Sequence, residues 1–352
     1  MSGIVDLFAG PGGLDVGATG LGLEVTGIER DHAACETRRA AGLATVEGDV
    51  RDYGPADFPE ATDLAGSPPC QPFSVGGKGK GRAALETVLN LAQMLASRQS
   101  VALAAAGFDD ERTGLVLEPL RWALEAMDAG RPFRTVVLEQ VPTVLPVWEA
   151  FAELLHREGY HTVTGRLSAE EYGVPQTRGR AFLIASLDRE VRMPEPTHQR
   201  YRKGVPQGQG ALGLLPWVSM AEAIGWGMTH RPALTVAVGT AAGGPDPSCV
   251  GGSGARATLY AERDAGRWVD CKRIVDAADL PAYRGGRRDT IRVTPEDAAL
   301  LQSFPPGHPF RGSQTKRYEQ IGNAVPCLLA RHVFAAAFGI SAVAAGESSA
   351  AA

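Results

Sequence analysis

Apolar residues in this chain fall into short runs that end on a glycine cluster or an acid, separated by stretches with helical spacing. Ile4-Val5-Asp6-Leu7-Phe8 runs into Ala9-Gly10-Pro11-Gly12-Gly13, and Leu14, Val16, Leu21 and Leu23 follow at helix-compatible intervals. That pattern predicts a strand, a tight turn and a helix. The run Leu23 to Ile28 stops at Glu29, and Thr135-Val136-Val137-Leu138 stops at Glu139; both read as buried parallel strands with an acid at the carboxyl end. Strands alternating with helical patterns predict an open, mostly parallel α/β sheet, whose ligands gather at the carboxyl edge. Gly76-Gly77-Lys78-Gly79-Lys80-Gly81 reads as a loop, and Leu85, Val88, Leu89, Ala92 and Leu95 after it as one apolar helix face.

Near Met193-Pro194-Glu195-Pro196 the chain becomes rich in Gly, Pro and Arg, with short β-prone runs such as Leu234-Thr235-Val236-Ala237-Val238. A second, smaller domain is expected over residues 194–310, with 1–193 and 311–340 forming the first and 341–352 a disordered Ala/Ser/Gly tail. Hydrophobic residues at 44% and charged residues at 21% of 352 exclude a wholly disordered or coiled-coil chain. The net charge of −5 argues against a nucleic-acid partner only as an average. Residues 192–292 hold 14 Lys+Arg against 9 Asp+Glu, so one basic segment sits inside an acidic protein. No stretch reaches about 18 consecutive apolar residues, and the start Met1-Ser2-Gly3-Ile4-Val5-Asp6 has no basic-then-apolar leader, which predicts a cytoplasmic protein without a membrane span. Cys35, Cys70, Cys249, Cys271 and Cys327 lack Cys-x-x-Cys spacing, so neither a disulfide framework nor a metal site is expected.

Two motifs carry chemistry. In the first, glycines let backbone approach a ligand, and Glu29, nineteen residues beyond Gly10, has the position of a carboxylate that binds ribose hydroxyls in adenosine-containing cofactors. Asp15 stands where a dinucleotide fingerprint has glycine. This weakens the dinucleotide reading and leaves room for S-adenosylmethionine, which brings no pyrophosphate. In the second, Gly66-Ser67-Pro68-Pro69-Cys70-Gln71-Pro72-Phe73-Ser74, two prolines fix the backbone before a cysteine, which marks Cys70 as a nucleophile rather than an inert core thiol.

The glycine turn, Pro-Pro-Cys-Gln, strand-end Glu139, Gln176-Thr177-Arg178-Gly179-Arg180 and Gln320-Ile321-Gly322-Asn323-Ala324-Val325-Pro326 occur in that order. In this the chain resembles the DNA (cytosine-5)-methyltransferases, over roughly residues 3–190 and 287–338. The resemblance implies a Rossmann-like S-adenosylmethionine-dependent fold with a smaller target-recognition domain in the unmatched stretch, about 194–286. It implies methyl transfer to C5 of a flipped-out cytosine in double-stranded DNA, with S-adenosylhomocysteine as product. Cys70 would add at C6, Glu139 would donate toward N3, and Arg178 and Arg180, placed on one strand face by a period of two, would meet the base, Glu139 and phosphates.

By the same carry-over Phe8, Gly10, Gly12, Gly13, Pro69 and Asn323 line the cofactor site. Glu29 meets the ribose and Asp49 the adenine amino group, with Asp52 competing for that last role. Gln71, Ser74, Arg231, Arg256, Arg263 and Arg267 are the DNA-contacting candidates, with Lys272 and Arg273 beside them. The Gly76–Gly81 loop would close over the base, while the glycine stretches 239–244 and 251–254 read as loops near DNA or as connectors. The expected setting is a nucleoid-associated monomer, with a cognate restriction endonuclease acting separately. One departure stands out, because Glu139-Gln140-Val141 replaces the family's Glu-Asn-Val. The Ala-rich stretch 82–107 also looks expanded. Competing readings are a tRNA cytosine-5 methyltransferase, an inactive DNA-binding regulator and a nicotinamide dehydrogenase; the last leaves Pro-Pro-Cys-Gln unexplained.

Overall fold

The computed structural model describes residues 3–69, 80–99, 111–209, 212–236, 253–270 and 293–342. The three expected apolar runs form strands β1 (Gly3–Leu7), β2 (Glu24–Glu29) and β5 (Thr135–Gln140), which are joined by β3 (Ala44–Glu47), β4 (Ala61–Gly66), β6 (His161–Ser168) and β7 (Gly179–Ser186). Together they build one seven-stranded sheet in the order β3-β2-β1-β4-β5-β7-β6. The pairs from β3 through β5 are parallel, and β7 runs antiparallel to β5. The order reverses at β1, so the turn after β1 lies at the topological switch point, where such sheets bind ligands.

Helices α1 (Gly13–Thr19), α2 (His32–Ala40), α3 (Lys80–Ala96), α4 (Glu118–Asp128) and α5 (Leu145–Arg157) connect the strands. Val5 and Leu7 of β1 point into a core shared with Val88, Leu91, Leu120, Trp122, Trp148 and Phe151 of α3, α4 and α5. The alternate residues Ile4 and Asp6 are buried too, so both faces of β1 are covered. Burying a side chain such as Leu7 or Phe151 stabilises by roughly 1.5–3 kcal/mol. On the expanded Ala-rich stretch, Arg98 closes α3 by pairing with Asp128 and Glu158, which ties it to the ends of α4 and α5.

The chain divides into two compact units. The first comprises Met1–Leu167, Gly179–Glu195 and Cys327–Ala352; the second comprises Ser168–Arg178 and Pro196–Pro326. Segments 168–178 and 311–326, read from sequence with the first domain, thus cluster with the second. In that unit lie α6 (Met220–Ile224), β8 (Gly227–Met228), α7 (Ser253–Asp264), β9 (Trp268–Val269), α8 (Pro295–Leu301) and α9 (Gln314–Asn323). Thr294 caps α8 and Asp297 returns the bond to the Thr294 backbone, the reciprocal device that Thr-Pro-Glu-Asp encodes. The final helix α10 (Cys327–Phe338) belongs to the first unit and packs on α1. Residues 314–338 contain a window apolar enough to cross a membrane by composition, but the helix breaks at Ala324–Pro326 and the window is largely buried. The tail from 343 lies outside the described residues.

Candidate active site

The carboxyl edge of the first unit's sheet carries the predicted cofactor residues other than Asn323, which belongs to the second unit. After β1 the backbone enters the left-handed region at Phe8 (φ 61°), Gly10 (φ 54°) and Gly12 (φ 97°). Phe8 holds that conformation with a side chain, which costs energy unless the surroundings enforce it. Nothing lies within 4 Å of where a Gly10 Cβ would sit, so the turn borders open space. At Gly12 the left-handed φ itself calls for glycine, and a Cβ there would also lie 2.3 Å from the mobile end of Leu43, at Cδ1.

Glu29, at the end of β2, accepts the Gly10 N–H through Oε2 at 2.8 Å and the Arg30 and Asp31 N–H groups through Oε1 at 2.8 and 2.7 Å. One carboxylate therefore joins the glycine turn to the next loop. Asp49 follows β3 and caps a short 3-10 turn by accepting the Arg51 N–H at 3.0 Å. Hydrogen bonds from the Arg51 side chain hold its carboxyl down at about 2, so it is an anion at any working pH. Its competitor Asp52 is exposed within that turn. Sequence reasoning missed Arg121 of α4, whose Nη2 donates to the carbonyls of Val50 and Tyr53 at 3.1 and 2.9 Å and so braces this loop. Its Glu118 and Glu125 partners at helical spacing were legible, but its reach across 71 residues was not.

Further along the same edge, Glu139 is buried at the end of β5 and its Oε1 meets Arg180 Nε at 2.8 Å. Antiparallel pairing of Gln140 with Ala181 places Arg180 beside the strand end. Gln140, the departure from the family pattern, donates from its amide nitrogen to the Pro68 carbonyl, and its amide oxygen accepts the Val141 N–H. The longer side chain thus fastens the Ser67-Pro68-Pro69 loop to β5, and Ser67 N–H secures the same loop to Leu7 of β1 at 3.1 Å. Half-buried Pro69 is the last described residue before Cys70.

The arginine pair is divided. β7 opens at Gly179, so Arg178 precedes the strand and the expected one-face arrangement does not form. Arg178 is buried in the second unit, donating to the carbonyls of Val236, Gly322 and Ala324 at 2.8, 2.9 and 3.1 Å. Gln176 beside it donates to Leu301 O and Gln302 Oε1, each at 2.7 Å. This motif staples its own unit together. Asn323 is the exposed last residue of α9.

Among the DNA-contacting candidates, the Arg231 guanidinium lies 5.0 Å over the Tyr201 ring, which itself packs edge-on against Trp217. Arg267 is neutralised by Glu262 at 2.8 Å, and Arg263 is exposed on the last turn of α7. Cys70, Gln71, Ser74, the Arg256 side chain, Lys272 and Arg273 lie outside the described residues, as do the glycine stretches 76–79, 239–244 and 251–252. The two described cysteines, Cys35 and Cys327, are both buried. Burial pushes the Cys35 thiol up to about 11 and Cys327 higher still, so neither supplies a thiolate at neutral pH. No cluster of three or more metal-binding side chains occurs among the described residues.

A likeness to known proteins extends along nearly the whole chain. Residues 3–96, 97–212 and 257–338 match the family model for C-5 cytosine-specific DNA methylases. The Type II methyltransferase M.NlaX of Neisseria lactamica is 27% identical across 92% of this chain and 91% of its own. The Type II methyltransferase M.AquIA of Picosynechococcus is 30% identical across 55% of this chain and 76% of its own. In structure, S. pombe Dnmt2 methyltransferase superposes with a TM-score of 0.58 at 13% identity, covering 96% of this chain and 99% of that one. Entamoeba histolytica methyltransferase EhMeth gives 0.56 at 12% identity, covering 96% and 98%. With its ordered motifs and its switch-point turn, this chain belongs to the C-5 cytosine-specific DNA methylase family.

Proposed function

We propose that the protein methylates C5 of cytosine within a specific double-stranded DNA sequence, through a covalent bond between Cys70 and C6 of an extruded base. The observation that carries this reading is the convergence at β5, where Glu139 is held by Arg180 and the next residue, Gln140, anchors the loop that leads into Cys70. S-adenosylmethionine, when bound, supplies an electrophilic methyl group. The open space against Gly10 and the carboxylates Glu29 and Asp49 on the same sheet edge suit its ribose and adenine.

The chain's own groups then divide the labour. Cytosine C5 is a weak nucleophile until a thiolate adds at C6 and makes it enamine-like, which is the task of Cys70. Addition builds negative charge on the ring, and a proton from the Glu139 carboxyl to N3 relieves it, with Arg180 fixing the carboxyl through Oε1. Once C5 carries the methyl group, its proton passes to a base such as water, N3 returns its proton to the Glu139 carboxylate and the Cys70 thiolate is expelled, which restores the ring. A base inside a duplex is out of reach, so extrusion costs a few kcal/mol that contacts from the protein must offset. The arginines of the second unit, Arg231 and Arg263 foremost, are the groups that grip DNA, and Arg178 acts as a positioning residue rather than on the base. The Type II names of the relatives support a modification role beside a cognate restriction endonuclease.

A duplex carrying 5-fluorocytosine at the target, mapped first by bisulfite sequencing of DNA from expressing cells, should form a denaturation-resistant adduct when cofactor is added. Cys70→Ser should bind duplex DNA yet form no adduct and no product. Wild-type turnover without any trapped adduct would overturn the covalent route, and methyl transfer to tRNA instead of duplex DNA would overturn the substrate.

A further inference from the structure

Asp15 stands where a dinucleotide fingerprint has glycine. It lies in the first turn of α1 with a fully buried side chain, and Arg38, in the last turn of α2, is buried as completely. Arg38 Nη1 and Nη2 meet Asp15 Oδ2 and Oδ1 at 2.9 and 2.5 Å. The rest of the guanidinium is spent on backbone and on β3. Nη2 donates to Ala44 O at 3.0 Å, Nε to Thr45 Oγ1 at 3.2 Å, and Nη1 reaches Ala9 O in the glycine turn at 3.4 Å. Space for it exists because residue 27 of β2 is glycine, where a Cβ would lie 2.0 Å from Nη2 and 2.6 Å from Ala9 Cβ.

A buried ion pair is a poor way to stabilise a fold, since apolar residues of similar volume commonly serve as well or better. This one does something an apolar pair would not. It ties the start of α1, the carbonyl of Ala9 and the edge strand β3 to a single planar group, directly behind a turn that takes left-handed angles at three of five residues. We propose that Arg38, held in place by Asp15, is a positioning residue that preorganises the Phe8–Gly12 turn for S-adenosylmethionine. The benefit of such preorganisation is a smaller ordering cost on binding. It therefore falls on cofactor affinity and leaves the chemistry at Cys70 and the grip on DNA unchanged. The inference rests on the cofactor reading proposed above.

The test uses the full chain and two variants. Arg38→Lys keeps the charge but replaces the planar fork with one ammonium, and the double variant Asp15→Leu with Arg38→Met removes both charges together. In each, titration calorimetry with S-adenosylmethionine and steady-state kinetics on duplex DNA should show Kd and KM for the cofactor raised about tenfold. Both kcat and the KM for DNA should stay within twofold, and the double variant should melt near the wild-type temperature. Cofactor affinity within twofold of wild type in either folded variant would overturn the inference. So would a parallel loss of melting temperature, cofactor affinity and DNA affinity, the mark of a purely structural pair. Should the double variant not fold, Arg38→Lys alone decides. Wild-type protein that binds no S-adenosylmethionine would sink both readings, whereas wild-type binding with unaltered variants would sink only the role of Arg38.

Discussion

Asp6 of β1 is a carboxyl group deep in the first unit. It is 1% exposed, and no donor among the described residues meets either carboxyl oxygen. Burial first, and then the charge of Asp15 beside it, push its carboxyl well above the ordinary range, so Asp6 keeps its proton to a higher pH than a solvated carboxyl does. An unfolded Asp6 ionises near pH 4. The folded form binds more protons above that point, so its contribution to stability is complete below pH 4 and declines as pH rises toward the folded value. Asp6→Asn, neutral at every pH, escapes the decline. Thermal melts of both proteins from pH 4 to 7 should show the variant's Tm advantage widening as pH rises; a constant gap would mean that Asp6 ionises as readily in the fold as outside it.

The same scale shows what was readable in the sequence. Glu29 and Glu139 were identified because an acid ending a run of strand residues is a local pattern, and each stands at the carboxyl edge as expected. Arg178 and Arg180 could not be told apart, because a period of two says nothing about where a strand begins. One residue of register sent one guanidinium to Glu139 and the other to carbonyls 58 to 146 positions away.

Between elements, the decisive contact is the strut from the end of β5 to the Pro68 carbonyl. Gln140 has to span two backbone groups at once, and the loop it anchors leads straight into Cys70. Gln140→Asn restores the family's residue yet shortens the reach by one methylene within surroundings shaped for the longer chain. It should lower kcat about tenfold, in keeping with the cost of small misplacements of reacting groups, while leaving S-adenosylmethionine affinity unchanged. A variant that matches wild-type kcat in single-turnover measurements would show that the strut is dispensable. Helix packing at this scale was only half legible. Helical spacing predicted α1, but not that Gly17 within it allows α10 to approach so closely that a Cβ would fall 2.7 Å from Ala330 Cβ and 2.8 Å from the Arg331 nitrogen.

For the whole molecule, charge is distributed by segment. The chain carries −5, yet its basic stretch falls in the second unit, so association with DNA should depend on local cations. Each phosphate neutralised releases counterions and steepens the fall of log affinity with log salt, by about 0.9 per contact. Filter binding across a salt series should give a steep slope that Arg263→Ala reduces by about 1, with cofactor affinity unaltered. An unchanged slope would place Arg263 away from the backbone of DNA. Arg267 should matter less, because Glu262 already neutralises it.

The sequence by itself determined the strands that end at the glycine turn, Glu29 and Glu139, a mostly parallel α/β sheet, the order of the motifs and hence the family, because these depend on neighbours a few residues apart or on a fixed order along the chain. The division of labour among buried charged and polar groups was decided only by tertiary structure. Arg38 against Asp15, Arg121 under the Asp49 loop, Gln140 on Pro68 and Arg178 among distant carbonyls join residues 23 to 146 positions apart. A side chain's partner at that separation is set by how helices and loops pack around the sheet, which no local pattern encodes.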